Sequence, residues 1–205
     1  MEYLDYYDEY GNYAGSEDRN IIHEKGLWHK TVHCWLFDKS GNIYFQIRAD
    51  SHKLYTSASG HVSAGETVKD GFAREVMEEI GVKVDVSNAQ MVEINIWKLD
   101  KLKNGKMFKD RAFANVYINL IDENNANFVF DTNEVEGIVK VNAKDTLELL
   151  IKQSGQIKAT KYLATKKGID KRDDYITFND FLIFENEIGI IKYGKILQAI
   201  INETK

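Results

Sequence analysis

The sequence predicts an α+β fold with a C-terminal helical extension, and three observations carry that prediction. A segment around residue 32 is apolar on both faces, as in a strand buried from two sides. A segment ending at Gly81 repeats apolar residues every three or four positions, as in a helix. Beyond residue 142 strand-like signals give way to helical ones. Hydrophobic residues at 43% and charged residues at 29% match ordinary globular usage and exclude disorder. A net charge of −5 argues against a general nucleic-acid binder but leaves room for a local basic pocket. The single cysteine, Cys34, excludes an internal disulfide and fits a reducing cytoplasm. The acidic N-terminus lacks the apolar core of a signal peptide. No apolar run approaches the roughly 18 residues of a membrane span.

Three stretches are expected: a hairpin or edge segment over 1–26, a main domain over 27–152 and a helical extension over 153–205 packed on it. In the first, Tyr3, Tyr6, Tyr7, Tyr10 and Tyr13 flank the turn signal Asp8-Glu9-Tyr10-Gly11-Asn12, which suggests a short hairpin serving as an edge element or dimer contact. From Leu27 to Asp38, Val32, Cys34 and Leu36 alternate with His33, Trp35 and Phe37. A turn at Lys39–Asn42 leads to a partner strand over Ile43–Ile47, and a polar stretch over 49–59 enters a Gly-rich loop. The helix is expected over Val68–Ile80, with Phe72, Ala73, Val76, Met77 and Ile80 on its apolar side and Gly81 as its stop. Strands over 90–100 and 107–121 flank the hairpin signal Asn104-Gly105, and Val135–Val141 is a further short strand. Helices are expected over Thr146–Ile151, Ile157–Thr165 and Ile190–Ile201, the last with an apolar stripe fit to pack on the domain or a second subunit. That stripe and the tyrosine-rich start together suggest a homodimer. The lysines and arginine between Lys158 and Arg172 are mixed with Asp170, Asp173 and Asp174, as on a solvated face.

The segment from Gly60 to Val82 carries the chemistry. Glu66 follows Gly60 after five residues, and Arg74-Glu75-Val76-Met77-Glu78-Glu79-Ile80-Gly81 follows after seven more. On a helix, spacings of three and four put the carboxylates of Glu75, Glu78 and Glu79 on one side. Three like charges repel at roughly 0.2–0.5 kcal/mol per pair, and a cation relieves that repulsion. Hard oxygen ligands suit Mg²⁺, or Mn²⁺ as an alternative, and such ions also take phosphate oxygens. Arg74 could pair with Glu66 and pin the loop to the helix, while Gly60 and Gly65 let backbone turn tightly beside a ligand.

This pattern is identified as the signature of the Nudix hydrolases. The resemblance implies a mixed β-sheet sandwiched between helices, with the motif as loop–helix–loop in the 27–152 domain. It implies hydrolysis of a nucleoside diphosphate derivative or related pyrophosphate by metal-activated water, with a small-molecule diphosphate as the partner. Glu75, Glu78 and Glu79 resemble the metal-binding and water-activating carboxylates, with Glu75 as first choice for the base. Glu66 and Arg74 resemble the structural salt bridge, and the carbonyl of Ser59 or Gly60 a further metal ligand. The surroundings are similar to the branch of isopentenyl-diphosphate isomerases and related hydrolases, through His23, His29, Trp35-Leu36-Phe37, Arg48, Lys53 and Ser59-Gly60-His61. In those isomerases histidines at about these places hold a metal, and a cysteine precedes the Gly-His pair. Here Ser59 stands at the cysteine's place, the segment 107–111 offers no glutamate, and the hydrolase carboxylates are intact. A serine hydroxyl lacks thiol acidity near pH 7, so a hydrolase is favoured. The isomerase and a non-catalytic nucleotide sensor are the alternatives. Arg48, Lys53 and His61 are candidate phosphate contacts, with a solvated loop as the plain alternative for the first two. Glu134 and Glu136 are candidates for the additional acidic residue many Nudix enzymes place near the metal. For His23 and His29 a hydrogen-bonded structural role is expected over metal binding, since two histidines lack a third ligand.

Overall fold

The structure, a computed structural model, describes residues 2–103, 105–183 and 187–205. Asn104 of the Asn-Gly turn and the side chains of Ile190 and Ile191 lie outside the described residues. The elements in chain order are the hairpin β1 (Tyr3–Tyr7) and β2 (Tyr13–Asp18), α1 (Arg19–Lys25), β3 (Trp28–Phe37), β4 (Asn42–Arg48), β5 (Leu54–Tyr55) and β6 (Ala58–His61). Then come α2 (Val68–Ile80), β7 (Gln90–Lys103), β8 (Lys106–Leu120), β9 (Val135–Asn142), α3 (Ala143–Lys152), β10 (Gln156–Thr165), β11 (Gly168–Thr177) and α4 (Glu187–Glu203).

One mixed sheet is built around β3, which pairs antiparallel with β1, β4 and β6 and parallel with β8. The main path runs β11-β10-β9-β4-β3-β1-β2, and the long β7–β8 ribbon joins through β8. The alternation within β3 explains the layers. Val32, Cys34 and Leu36 pack against Phe72, Val76 and Ile80 of α2. Trp35 and Phe37 share a cluster with Leu149 and Leu150 of α3 and Ile196, Leu197 and Ile200 of α4. The sheet is therefore covered on both faces, each fully buried large side chain contributing about 1.5–3 kcal/mol.

Several local expectations are corrected. The segment Ile157–Thr165 is not a helix but β10, paired in register with β9 (Tyr162 opposite Ile138) and with β11. Its apolar residues meet partners on both sides, and Thr160, Tyr162 and Thr165 are strand-compatible, so tertiary pairing overrides the helical spacing. The polar 49–59 stretch contains β5 and leads directly into β6, which places Ser59 and Gly60 on a strand beside β3. Met77 is exposed, whereas Glu75 and Glu79 are buried. The described part of the α4 stripe (Tyr193, Ile196, Leu197 and Ile200) is covered within the chain, where Tyr193 donates to the Leu182 carbonyl at 3.1 Å, which weakens the argument for a dimer. The charged β10–β11 hairpin neutralises itself through pairs such as Lys161–Asp174. Among the described residues no helix is long and apolar enough to cross a membrane.

The N-terminal hairpin forms as expected, with a further role. Leu4 is fully buried, and the Ala64 and Gly65 amides donate to the Tyr3 carbonyl and to Asp5 Oδ2, each at 2.9 Å. The hairpin thus braces the loop between β6 and α2.

Candidate active site

Helix α2 begins at Thr67, whose hydroxyl caps the Asp70 amide, and ends at Gly81 in the left-handed region (φ 71°). Its charged residues meet the loop through Arg74. Nε and Nη2 bind the two Glu66 oxygens at 2.9 Å each, Nη1 binds Glu75 Oε1 at 2.7 Å and Glu78 Oε2 at 3.0 Å, and Nη2 also donates to the His61 carbonyl at 2.7 Å. The expected Glu66–Arg74 pair is present in the fork geometry that carboxylates favour.

The three motif carboxylates are held differently. Glu78 is exposed and Glu75 is only 9% exposed. Glu79, 4% exposed, accepts from the Ser59 amide and from Gln46 Nε2, each at 3.1 Å. Burial pushes the Glu75 carboxyl up to about 6, against the pull of Arg74. Burial, aided by the charges of Glu75 and Glu134, pushes Glu79 up to about 8. Gly60 presses its backbone on Glu75, so that an added Cβ would lie 2.2 Å from the carboxyl carbon.

These groups line an open, polar cavity of about 610 Å³. Ser59, Gly60, His61, Arg74, Glu75, Glu78 and Glu79 line it, as do Arg48 and Glu134, both expected from sequence. Lys53 and Glu136 do not line it: Lys53 Nζ donates to the Asn179 carbonyl, and Glu136 pairs with His52. Gln46, Asp50, Asn133, Glu2 and Arg19 line the cavity without having been expected. Gln46 could have been found by alternation, since it lies two residues from Arg48 on β4. Arg19, paired with Glu2 at 2.8 Å, carried no local signal because the hairpin brings it in from a distance. Arg48 is paired with Asp50.

A second cluster abuts the first. His23 of α1, His29 of β3 and His61 of β6 bring one ring nitrogen each within 4.8 Å of one another. The Nδ1 atoms of His23 and His29 bond the carbonyls of Arg19 and Leu27, which leaves their Nε2 atoms as acceptors. The third histidine that the sequence lacked is therefore His61. Burial lowers all three, His61 to about 2, so the rings are neutral. His29 Nε2 and Asp110 Oδ1 face each other at 3.4 Å, both buried and without a hydrogen-bond partner. Two acceptors opposed in this way lack a proton or a cation between them. Cys34 is fully buried and its thiol is pushed well up, so it is no acid for the cavity.

Comparison with known proteins matches the NUDIX domain profile to residues 27–157. An uncharacterised Nudix hydrolase of Clostridium acetobutylicum is 30% identical over 190 residues, covering 85% of this chain and 90% of that protein. An isopentenyl-diphosphate Delta-isomerase of Serratia proteamaculans is 27% identical, covering 54% of this chain and 62% of its own. Among solved structures, DR0079 of Deinococcus radiodurans aligns with a TM-score of 0.52 at 21% identity, covering 75% of this chain and 91% of that one, and supports the fold.

Three outcomes are expected from this geometry. Gly60→Ala pushes the Glu75 carboxylate, the far end of a flexible side chain, out of place; activity should be lost while the melting temperature barely moves. Arg74→Ala leaves Glu66 with only the Ser63 amide and takes the guanidinium from the His61 carbonyl, which costs about 2–3 kcal/mol and lowers the melting temperature by roughly 5–10 °C in calorimetry. The third outcome concerns pH. Glu79 holds its proton to about pH 8 when folded, against an ordinary value of 4.5. Its contribution to stability is then fully present below pH 4.5 and lost as pH rises through about 8. In metal-free buffer, the melting temperature of Glu79→Gln should exceed that of the wild type by an amount that grows from about pH 4.5 to 8. A constant gap across that range would contradict the burial of Glu79.

Proposed function

Since the chain belongs to the Nudix family, we propose that it hydrolyses the phosphoanhydride bond of a small-molecule diphosphate, such as a nucleoside diphosphate derivative. The observation that carries this reading is the convergence of Glu75, Glu78 and Glu79 on one cavity that Arg48 also lines. The carboxylates and the Gly60 or Ser59 carbonyl are hard oxygen donors, two of the carboxylates are buried, and backbone approaches them where a Cβ could not fit; this set suits Mg²⁺, with Mn²⁺ as the alternative. The neutral nitrogens of His23, His29 and His61, with Asp110, suit a softer divalent ion such as Mn²⁺ or Zn²⁺. Bound divalent cations would supply charge neutralisation of the diphosphate and acidify water.

The chain's own groups account for the remaining steps. Arg48 and Arg19, which both line the cavity, bind phosphate oxygens. Glu75, held at Oε1 by Arg74, takes the proton of the attacking water on its other oxygen; a carboxyl raised to about 6 is suited to a base near neutral pH. Water oxygen bonds to phosphorus, the bridging P–O bond breaks, and the leaving phosphate departs with the bridging oxygen.

A second reading, isomerisation of an isoprenoid diphosphate, draws on the histidine cluster. Ser59 opposes it, since its hydroxyl lacks the acidity to protonate an alkene. The test is a phosphate-release screen over nucleoside di- and triphosphates, sugar nucleotides, dinucleotides and isoprenoid diphosphates, with Mg²⁺ and with chelator. Hydrolysis of at least one substrate should require the cation, and Glu79→Gln should lower its rate on the order of 10²–10⁴-fold while remaining folded. Elemental analysis should find a transition metal that His61→Ala loses. Conversion of isopentenyl to dimethylallyl diphosphate without phosphate release would replace the hydrolase reading with the isomerase.

A further inference from the structure

We propose that Gln46 is a positioning residue: its side-chain amide fixes Glu79 in the orientation that receives the divalent cation. This rests on the reading of Glu79 as a cation ligand. Gln46 interrupts an apolar run, Ile43-Tyr44-Phe45 before it and Ile47 after it, in the middle of the sheet. It is 2% exposed, and its backbone is fixed on both sides, paired with Ile138 of β9 and Tyr55 of β5. A donor mounted there is held more rigidly than one on a loop.

The contrast among the three carboxylates gives the bond its meaning. Glu75 and Glu78 accept from the Arg74 guanidinium, so part of their charge is already compensated. Among the described residues Glu79 accepts hydrogen bonds from the neutral N–H groups of Ser59 and Gln46, one on each oxygen. Those bonds set the carboxylate plane without neutralising it, and each oxygen keeps a further lone pair. An ionised carboxylate in that state is costly to bury until a cation arrives. Gln46 thus orients a ligand whose charge no bonded cation offsets, where a cationic residue at the same place would compete with the metal. Outer groups that orient metal ligands typically account for a 10- to 100-fold difference in affinity.

The experiment is isothermal calorimetry of Mg²⁺ binding, since this hard ion favours the carboxylates over the histidines. Gln46→Met keeps the shape and removes the donor. Mg²⁺ affinity should fall roughly 10-fold or more. Turnover should fall at limiting Mg²⁺ and recover as Mg²⁺ is raised, with the KM for the diphosphate at saturating Mg²⁺ unchanged. Gln46→Asn, which retains the amide but withdraws it by one methylene, should weaken binding in the same direction and serves if the Met variant fails to fold. A folded variant of either kind that binds Mg²⁺ within about twofold of wild type overturns the proposal, whatever its melting temperature. Glu79→Gln is the control for the premise. If it binds Mg²⁺ as wild type does, the cation reading of Glu79 falls; if it loses binding while Gln46→Met keeps it, only the role of Gln46 falls.

Discussion

Arg74 sits where the loop, the helix and strand β6 meet, and five acceptor atoms converge on its guanidinium. Four belong to carboxylates, so the arginine offsets acidic charge that would otherwise repel, and its planar fork sets the distance between Glu66 on the loop and Glu75 on the helix. Yet one cation cannot balance that many carboxylates. Glu79 and Glu134 remain on the cavity wall with Arg48 as the nearby positive group. Burial of that wall, with its neighbouring carboxylates, raises the Glu75 and Glu79 carboxyls, and a divalent ion there would relieve both.

The loop held by Arg74 needs a second support, which comes from the first residues of the chain. Tyr3 and Asp5 take the Ala64 and Gly65 amides, and α1 follows directly with Arg19 at the cavity and His23 in the imidazole cluster. A segment that looks from its sequence like an edge hairpin thus shapes the site. Its β1 strand joins β3 at Tyr6 and Tyr7, opposite His29 and Trp28, so sheet pairing positions the brace and the histidines together.

What the sequence revealed and what it hid follow from the range of the interactions. The motif helix, its Gly81 stop, the Glu66–Arg74 pair and the two-faced β3 strand depend on residues close in sequence or on simple periodicity, and these were legible. The placement of Ile157–Thr165 was not, because its spacing suits a helix and only pairing with Ile138 and Tyr175 makes it a strand. Met77 and Glu75 exchanged their expected environments for a similar reason. A carboxylate among backbone amides and an arginine can be buried, and periodicity alone does not say which stripe of a helix faces the site. Asp110 was passed over because the search in that segment was for glutamate.

The two donor sets meet at the dipeptide Gly60-His61. Gly60 presses on Glu75 with its backbone, His61 turns its ring to His23 and His29, and the His61 carbonyl is held by Arg74. Successive strand residues point to opposite faces, so one short strand serves an oxygen-rich set and a nitrogen-rich set without mixing them. The proton demands of the sets also run in opposite directions. Burial keeps the carboxyls protonated to higher pH and the imidazoles unprotonated to lower pH, so both sets tend towards neutrality when empty. A cation bound by the carboxylates would displace the proton of Glu79, the more raised of the two carboxyls, and one bound by the imidazoles would replace the contact between His61 Nε2 and His23 Nε2 at 3.4 Å. Near neutral pH a divalent ion at the histidines would meet neutral rings, whereas one at the carboxylates would draw Glu79 into its ionised form.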